Sequence, residues 1–524
     1  MENIAKNPLT ASLNQQADLI IGQSFVFILT LTPDAPLTGT VEVNFTKATN
    51  INPPTGNLKF TAVKNKDGKI IKYTYVTMLT VSDALTEQEQ ITFNVDTNPS
   101  IPNITTLKFK CNLRTINSDS LGLTIDNVFL DTFNLEKNSV ENKTKVSTIL
   151  TDINGKTLSG VPIYIDSFRS NNLHECTIKD NNGNIITPQQ VYTYDGLFLN
   201  SQSDGSIVFY IYPEKSLSMV LDLRCSVIDA FDYIPATSPL FFINTERPNP
   251  MDSLREPDIL GGFPGPLTSN TGEPNFYASI DNYDNSKRGD YIVFMIKTDN
   301  DTTPKYSGYY VSVSNPNTEL GQGKYSYSLP YDIFNISINY EFSYIVIFGE
   351  AAGSKTSRPY PVTYMGGAIY NPPTNVTRDY DLCKVYTSLG IGKAEIQPDT
   401  GISYDSIKRY LDNPSTPNTG LFVEVLGGNN IPGKVPLNSK VTLNVYIQSS
   451  NCNTHKSWTL PMPIKVDSQG IASLSFHIPF EFLNKIYPYD NGGPGSIYFD
   501  YEFNIGNEKN YGEIWEGLID TRPE

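Results

Sequence analysis

The side chains that most often perform catalysis are few and scattered in this sequence. Its three histidines, His174, His455 and His477, fall in different predicted loops or strands. Gly-x-Ser-x-Gly, His-Glu-x-x-His, Gly-x-Gly-x-x-Gly and phosphate-binding loop patterns do not occur. A nucleophile needs a base within hydrogen-bond reach, and no spacing here supplies that pair. The sequence therefore predicts a protein that is not an enzyme, although a carboxylate pair assembled only by the fold would leave no such pattern.

Metal-binding side chains are scattered too. None of the cysteines has the Cys-x-x-Cys spacing of a zinc site. They are Cys111, Cys176, Cys225, Cys383 and Cys452. The segment 299–301 has too few ligands for a calcium loop and is typical of a turn. We therefore predict no metal and no cofactor. At most Cys176 and Cys225, which flank predicted facing strands, form a disulfide; alternatively, they are small buried residues.

An Arg-Gly-Asp triplet, Arg288-Gly289-Asp290, lies between a polar loop and the predicted strand 291–296. A loop on a rigid scaffold is where an integrin-binding tripeptide would be displayed. The alternative is that three common loop residues meet by chance where a strand starts. Both interpretations stay open at the level of sequence.

Tyrosines are dense between residues 270 and 386. Tyrosine gives a large contact area at little entropic cost and is enriched at recognition sites, so this region predicts a sugar- or protein-binding surface. The candidate residues are Tyr306, Tyr309, Tyr310, Tyr360 and Tyr364. The alternative is that tyrosine, a good strand former, covers a solvated sheet face.

The overall charge restricts the partners. The formal net charge is −16 and the pI is about 4.8. Without a basic stripe to displace counterions from phosphates, nucleic acid is not expected to bind, and neither is an anionic membrane surface. No apolar stretch approaches the 18 residues of a membrane span. Residues 1–14 lack the pattern of a secretion signal. We expect an extracellular or cell-surface protein, exported by a route without a visible N-terminal signal.

Alternating strands are the elements that must position these residues. With 524 residues the chain is too long for one core and is expected to form several domains. It is rich in Thr, Val, Ile, Tyr and Phe, and the segment 25–31 shows a period of two before a Pro33-Asp34 turn. The sequence predicts an all-β chain of tandem antiparallel β-sandwiches, the first at residues 1–118.

The second predicted sandwich, residues 122–246, carries two motifs. Asp152, Asn154 and Gly155 form a turn before Gly160-Val161, and Asp204-Gly205 precedes an alternating strand. These residues resemble the bacterial immunoglobulin-like repeats of the invasin and intimin adhesins, with Thr157 in place of the usual proline. The resemblance implies immunoglobulin-like domains strung into an elongated chain.

The remaining domains are predicted from composition and internal similarity. Residues 247–269 are rich in Pro and Gly and predict a stiff linker. A Tyr-rich sandwich follows at 270–386 and another at 387–524, since strands after Gly323 and Gly470 share a plan. A short helix is predicted near 403–413, where apolar residues have helical spacing.

Two classes of function fit these features. The resemblance implies an adhesin-like protein whose second pair of domains binds a host or cell-surface protein or glycan. The alternative is a structural or receptor-binding component of a secreted toxin complex, a phage tail or an injection assembly, in which other subunits are partners. A glycan-active enzyme with accessory sandwiches ranks last.

Overall fold

The computed structural model describes residues 8–523, except 34–36, 38, 57, 87–88, 99–100, 102–103, 134–141, 169–171, 215, 217, 247–249, 263–264, 350–352, 411–418, 490 and 507. The predicted all-β fold of tandem antiparallel sandwiches is confirmed. The α-helices of the described residues are single turns: α1 (Pro316–Glu319), α2 (Tyr404–Ile407) and α3 (Phe480–Leu483). The 3₁₀ turns are Ser118–Leu121, Asn172–Glu175 and Tyr331–Ile333.

The chain divides into two compact units, which are described separately. One comprises Met1–Glu246 with Ile347–Ser354, and the other comprises Arg247–Val346 with Lys355–Glu524. The named strands pair within four consecutive groups: β1–β9, β10–β21, β22–β29 and β30–β40. The domain boundaries that the sequence predicts stay a proposal.

The first group of strands forms two facing sheets, ordered β1-β3-β7-β5 (with β6 on β7) and β2-β9-β8-β4. Their bounds are β1 Leu9–Ala11, β2 Asp18–Ile20, β3 Ser24–Leu31, β4 Glu42–Thr49, β5 Ile51–Asn52, β6 Thr61–Lys64, β7 Ile70–Val81, β8 Gln90–Asn98 and β9 Leu107–Arg114. The predicted alternation of β3 places Phe25, Phe27, Leu29 and Leu31 in the core. Phe27 meets Phe93 and Phe109 edge to face, with ring centroids 5.9 and 5.6 Å apart.

The second group forms three sheets, ordered β10-β12-β17-β14, β11-β21-β18 and β15-β16-β13-β19-β20. Their bounds are β10 Thr124–Ile125, β11 Phe129–Asp131, β12 Thr144–Ile149, β13 Pro162–Ser167, β14 Cys176–Asp180, β15 Gln189–Val191, β16 Tyr194–Asn200, β17 Ser206–Pro213, β18 Met219–Leu221, β19 Leu223–Val227, β20 Phe231–Pro235 and β21 Leu240–Ile243. The predicted turn at Asn154-Gly155 is present, with Gly155 at φ +80° and its N–H bonded to the Asp152 carbonyl.

For Cys176 and Cys225 the sequence left two alternatives open, a disulfide or two small buried side chains, and the structure shows the second. Both thiols are free and buried. Cys176 begins β14 and Cys225 lies in β19, and these strands belong to different sheets. Each thiol packs into the apolar core as a small side chain, and burial raises the pKa of both.

The third group of strands forms the sheets β22-β23-β26 and β25-β24-β27-β28, with β29 also on β27. Their bounds are β22 Asp258–Ile259, β23 Asn275–Ser279, β24 Tyr291–Thr298, β25 Lys305–Ser312, β26 Tyr327–Pro330, β27 Asn339–Ile347, β28 Ser354–Thr356 and β29 Tyr360–Thr363. The predicted linker 247–269 has contacts here that an extended spacer lacks. Ile259 and Leu267 are buried, and the Leu267 N–H bonds to the Thr363 carbonyl at 2.9 Å.

The fourth group forms a seven-stranded sheet, β30-β39-β38-β35-β36 with β40 and β33, and a facing sheet, β32-β31-β34-β37. Their bounds are β30 Arg378–Tyr380, β31 Lys384–Tyr386, β32 Glu395–Ile396, β33 Gly401–Ser403, β34 Gly420–Gly427, β35 Lys440–Gln448, β36 Asn453–Pro461, β37 Ala472–Pro479, β38 Gly495–Ile505, β39 Glu508–Gly512 and β40 Trp515–Asp520. The helix predicted near 403–413 is shorter, because the backbone turns extended at Lys408 (ψ 164°). Its last predicted residues, 411–413, lie outside the described residues.

Candidate functional site

The Arg-Gly-Asp triplet forms a tight turn. Gly289 adopts φ +92°, and Asp290 is only 2% exposed. The Asp290 carboxylate accepts hydrogen bonds from the Tyr283 hydroxyl at 3.0 Å and from the Lys287 N–H at 2.9 Å. A carboxylate held in this way organises its own loop and is not displayed to a receptor. Arg288 and Gly289 precede it on the same turn. Gly289 donates its N–H to the Val313 carbonyl at 2.7 Å.

Three of the candidate tyrosines lie on β25 and are half-buried. Tyr309 donates its hydroxyl at 2.9 Å to the Asp332 carboxylate, whose side chain is 0% exposed, and Lys456 Nζ lies 5.7 Å from the centroid of the Tyr309 ring. Tyr310 meets Tyr291 edge to face, and burial raises the pKa of Tyr306. These contacts show that the three rings pack against other side chains of the unit that comprises Arg247–Val346 and Lys355–Glu524. As ligand-binding residues they stay a prediction.

The other two candidate tyrosines contact the segment 247–269, which the sequence predicts as a linker. Tyr364 is fully buried, stacks on Tyr331 at 4.9 Å and accepts the Ala368 N–H at 3.0 Å. Tyr360 donates its hydroxyl to the Gly262 carbonyl at 3.0 Å. Tyr364 therefore has no surface with which to contact a ligand. Tyrosine suits buried, hydrogen-bonded positions as well as exposed ones, so a high density of tyrosines does not by itself locate a binding surface.

A different aromatic surface, which the sequence reasoning missed, lies on the sheet β15-β16-β13-β19-β20. Strand β13 alternates: Ile163 and Ile165 enter the core, while Tyr164 and Asp166 point to the other face. The register places Phe198 and Ser226 beside Tyr164, and Arg224 beside Asp166. Opposite residues in antiparallel strands share a face, so these side chains form one surface. We call it the aromatic face; its residues are Tyr164, Asp166, Phe168, Tyr194, Phe198, Arg224 and Tyr233.

An arginine is held in the middle of the aromatic face. Its guanidinium lies 3.7 Å from the centroid of Tyr233 and 4.9 Å from that of Phe168. Two N–H groups of Arg224 donate to the Asp166 carboxylate, at 2.5 and 2.9 Å. The hydrogen bond with Asp166 raises the pKa of Arg224, so the cation persists at all ordinary pH values. Phe168 is 61% exposed and Tyr233 37%, so both rings offer apolar surface to solvent.

Tyr164 anchors the other half of the aromatic face. Its ring lies 5.3 Å from that of Tyr194 and 5.1 Å from that of Phe198. Gly196 makes room for it, because a Cβ there would lie 3.1 Å from the Tyr164 ring. The Tyr164 hydroxyl donates to the Asp195 carbonyl at 2.9 Å. Burial, and next the neighbouring Asp166, raise the pKa of Tyr164.

A cleft of about 200 Å³ borders the aromatic face. Tyr164, Phe198 and Asn200 line one wall, and Val26 and Ile28 of β3 line the other. The cleft thus combines aromatic rings with amide and hydroxyl groups.

Hydrogen bonds fix the two walls of this cleft to each other. Asp18 and Ser159 exchange two bonds, at 2.7 and 2.8 Å. The Ser24 N–H donates to the Ile228 carbonyl at 2.9 Å, and the Asn200 amide donates to the Ser12 carbonyl at 2.6 Å. The two walls of the cleft are therefore held in a fixed arrangement.

One serine–histidine pair resembles catalytic geometry. Ser457 Oγ lies 3.3 Å from His455 Nε2 on strand β36. The serine hydroxyl, however, donates to Asn444 Oδ1 at 2.7 Å, and the same Nε2 faces that oxygen at 3.4 Å. The serine proton is thus held by an amide oxygen and is not presented to the imidazole.

Across the described ranges, no group of three or more His, Cys, Asp or Glu side chains is placed to hold a metal ion. No helix of the described part is long and apolar enough to span a membrane.

No protein-family model and no curated protein sequence matches the chain. Among solved structures, the D0–D1 domains of intimin align with 10% identity over 45% of this chain and 97% of theirs, at a TM-score of 0.16. FdeC, an adhesin of Escherichia coli, aligns with 14% identity over 69% of this chain and 98% of its own, at 0.18.

A third structure, a C-terminal fragment of intimin in complex with the intimin-binding domain of its translocated receptor, aligns with 8% identity. The alignment covers 51% of this chain and 69% of that one, at a TM-score of 0.17. The predicted resemblance to bacterial immunoglobulin-like adhesins is confirmed in that such proteins are among the matches. TM-scores below 0.2 carry nothing about what this chain binds.

Proposed function

We propose that this chain is a non-enzymatic, adhesin-like recognition protein, located outside the cell or on its surface, that binds a cell-surface protein or glycan. The aromatic face is its contact surface. The proposal assigns recognition to the second sandwich, whereas the sequence predicts it in the second pair of domains, residues 270–524.

The observation that supports this proposal is the exposed, ordered stack of Phe168, Arg224 and Tyr233. Aromatic rings and arginine are the side chains that contribute most at protein interfaces. Exposed rings also cover the apolar faces of sugars. Because Asp166 already fixes the arginine, little conformational entropy is lost on binding.

The test is the binding of the labelled full chain to a panel of cultured cells. A Phe168→Ala/Tyr233→Ala double variant removes both exposed rings, and Tyr277→Ala removes an exposed tyrosine of the other unit as a matched control. We expect binding to fall at least tenfold in the double variant and to stay unchanged in the control. Pre-treating the cells with trypsin or with glycosidases identifies a protein or a glycan as the partner. Wild-type binding by a correctly folded double variant would overturn the proposal.

A further inference from the structure

A second surface of the second sandwich, on the opposite sheet, combines lysine and tyrosine. Strand β17 sends Phe209 and Ile211 into the core and Tyr210 and Tyr212 outward. The register places Lys145 on one side of Tyr210 and Lys179 on the other. Lys143 lies one position before Thr144, whose partner is Ile211, and therefore projects beside Tyr212. We call this surface the lysine–tyrosine face; its residues are Lys143, Lys145, Lys179, Tyr210 and Tyr212.

The tyrosine rings hold the ammonium groups in place. Lys143 Nζ lies 5.0 Å from the ring centroid of Tyr210 and 5.8 Å from that of Tyr212. Lys179 Nζ lies 4.7 Å from the ring centroid of Tyr212. Each cation is attracted to a ring face, which restricts side chains that would otherwise sample many rotamers. Two of the three positive charges, those of Lys143 and Lys179, are therefore pre-ordered on a solvated sheet face.

The ammonium groups of Lys143, Lys145 and Lys179 have no carboxylate within 4 Å among the described residues. Glu214, which lies just beyond the end of β17, accepts a hydrogen bond from the Thr177 hydroxyl. Lys143 and Lys145 lie about 7 Å apart along one edge of this surface, and Lys179 lies two strand spacings away, about 10 Å, so the charges repel one another across the sheet. A local positive cluster in a chain of net charge −16 is complementary to an anionic partner.

We propose that the lysine–tyrosine face binds a sulfated glycan. The charges lie on an open surface on the two sides of β17 and do not converge on one point. This arrangement suits an extended polysaccharide that carries sulfate groups at intervals. Strands β12 and β17 are hydrogen bonded on both sides, so a peptide has no free strand edge at the centre of this surface. The tyrosine hydroxyls add hydrogen-bond groups for sugar hydroxyls. This inference stands independently of the aromatic face.

The test measures binding of the full chain to immobilised heparin oligosaccharides, with desulfated heparin and polyglutamate as the other arms. The variant Lys143→Gln/Lys145→Gln/Lys179→Gln removes the cluster. The control Lys64→Gln/Lys66→Gln/Lys69→Gln changes charge equally on an exposed hairpin of the first sandwich. We expect at least a tenfold loss of heparin affinity in the first variant and less than a threefold loss in the control. The slope of log affinity against log salt should fall by about three.

Two results would overturn the proposal. Equal losses in both triple variants would show non-specific attraction, and equal affinity for polyglutamate and heparin would identify an acidic protein as the partner. Tyr212→Leu keeps the charge but releases two lysines, so it should weaken binding severalfold even if the triple variant fails to fold. The Phe168→Ala/Tyr233→Ala variant should keep full heparin affinity. Failure of this inference is therefore distinguishable from failure of the proposed function.

Discussion

The guanidinium of Arg224 lies 3.7 Å from the ring centroid of Tyr233 and is paired through two hydrogen bonds with Asp166. A planar cation can stack on a ring and bond a carboxylate in its own plane at the same time, whereas a lysine ammonium cannot. The pair therefore fixes the position of strand β20 relative to β13 and orders the exposed ring of Tyr233.

Arg224→Lys should lower the unfolding free energy of the second sandwich by about 1–2 kcal/mol, because one planar, two-point contact becomes a single weaker one. Calorimetry measures this as a lower midpoint of one unfolding transition. The matched control is Arg522→Lys, whose arginine makes the same two-point contact with Asp520 on an exposed surface. The control should leave every transition unchanged. Equal effects in both variants would contradict a special role for the stacked arginine.

Gly196→Ala should destabilise the second sandwich by about 1–3 kcal/mol, since an added methyl group has no space there. Its Cβ would lie 2.3 Å from the Ile165 carbonyl oxygen and 3.1 Å from the Tyr164 ring. Gly401→Ala is the control, because that strand glycine has no atom within 4 Å of its Cβ position. Thermal unfolding followed by near-ultraviolet circular dichroism also reports whether the Tyr164 ring moves. An unchanged midpoint would show that the sheet can adjust.

Asp332→Ala should lower the unfolding free energy of the second unit by about 2–4 kcal/mol, because it leaves buried donors unpaired. The Asp332 carboxylate is fully buried; it accepts the Tyr309 hydroxyl at 2.9 Å and lies 3.7 Å from Lys456 Nζ. Tyr309→Phe removes one of these bonds and should have a smaller effect, about 1 kcal/mol. Urea unfolding of both variants measures the difference. A larger loss for Tyr309→Phe than for Asp332→Ala would contradict Asp332 as the centre of this cluster.

The sequence predicts the sandwiches well and the surfaces poorly, and the reason is physical. Alternation along a strand such as 25–31 defines two faces and identifies the core face by its apolar residues. It does not show which polar-face residues meet across the sheet, because that depends on register. Tyr164, Arg224 and Tyr233 lie far apart in the chain and come together only through the pairing of β13, β19 and β20. The one local signal was the outward tyrosine and aspartate of β13.

Asp301→Asn should lower thermal stability at pH 7 and have little effect at pH 2. A hydrogen bond from the Lys305 ammonium, followed by bonds from the Thr298 N–H and hydroxyl, lowers the pKa of Asp301 from 3.8 to about 2. Because the folded-state pKa lies below the unfolded one, the ionised carboxylate stabilises the fold above pH 3.8, and this stabilisation is lost as the pH falls towards 2. Midpoints measured at pH 7, 4, 3 and 2 should therefore converge. Lys305→Met should reduce the wild-type pH dependence without abolishing it, since the Thr298 bonds remain. A constant gap between wild type and Asp301→Asn down to pH 2 would contradict this assignment.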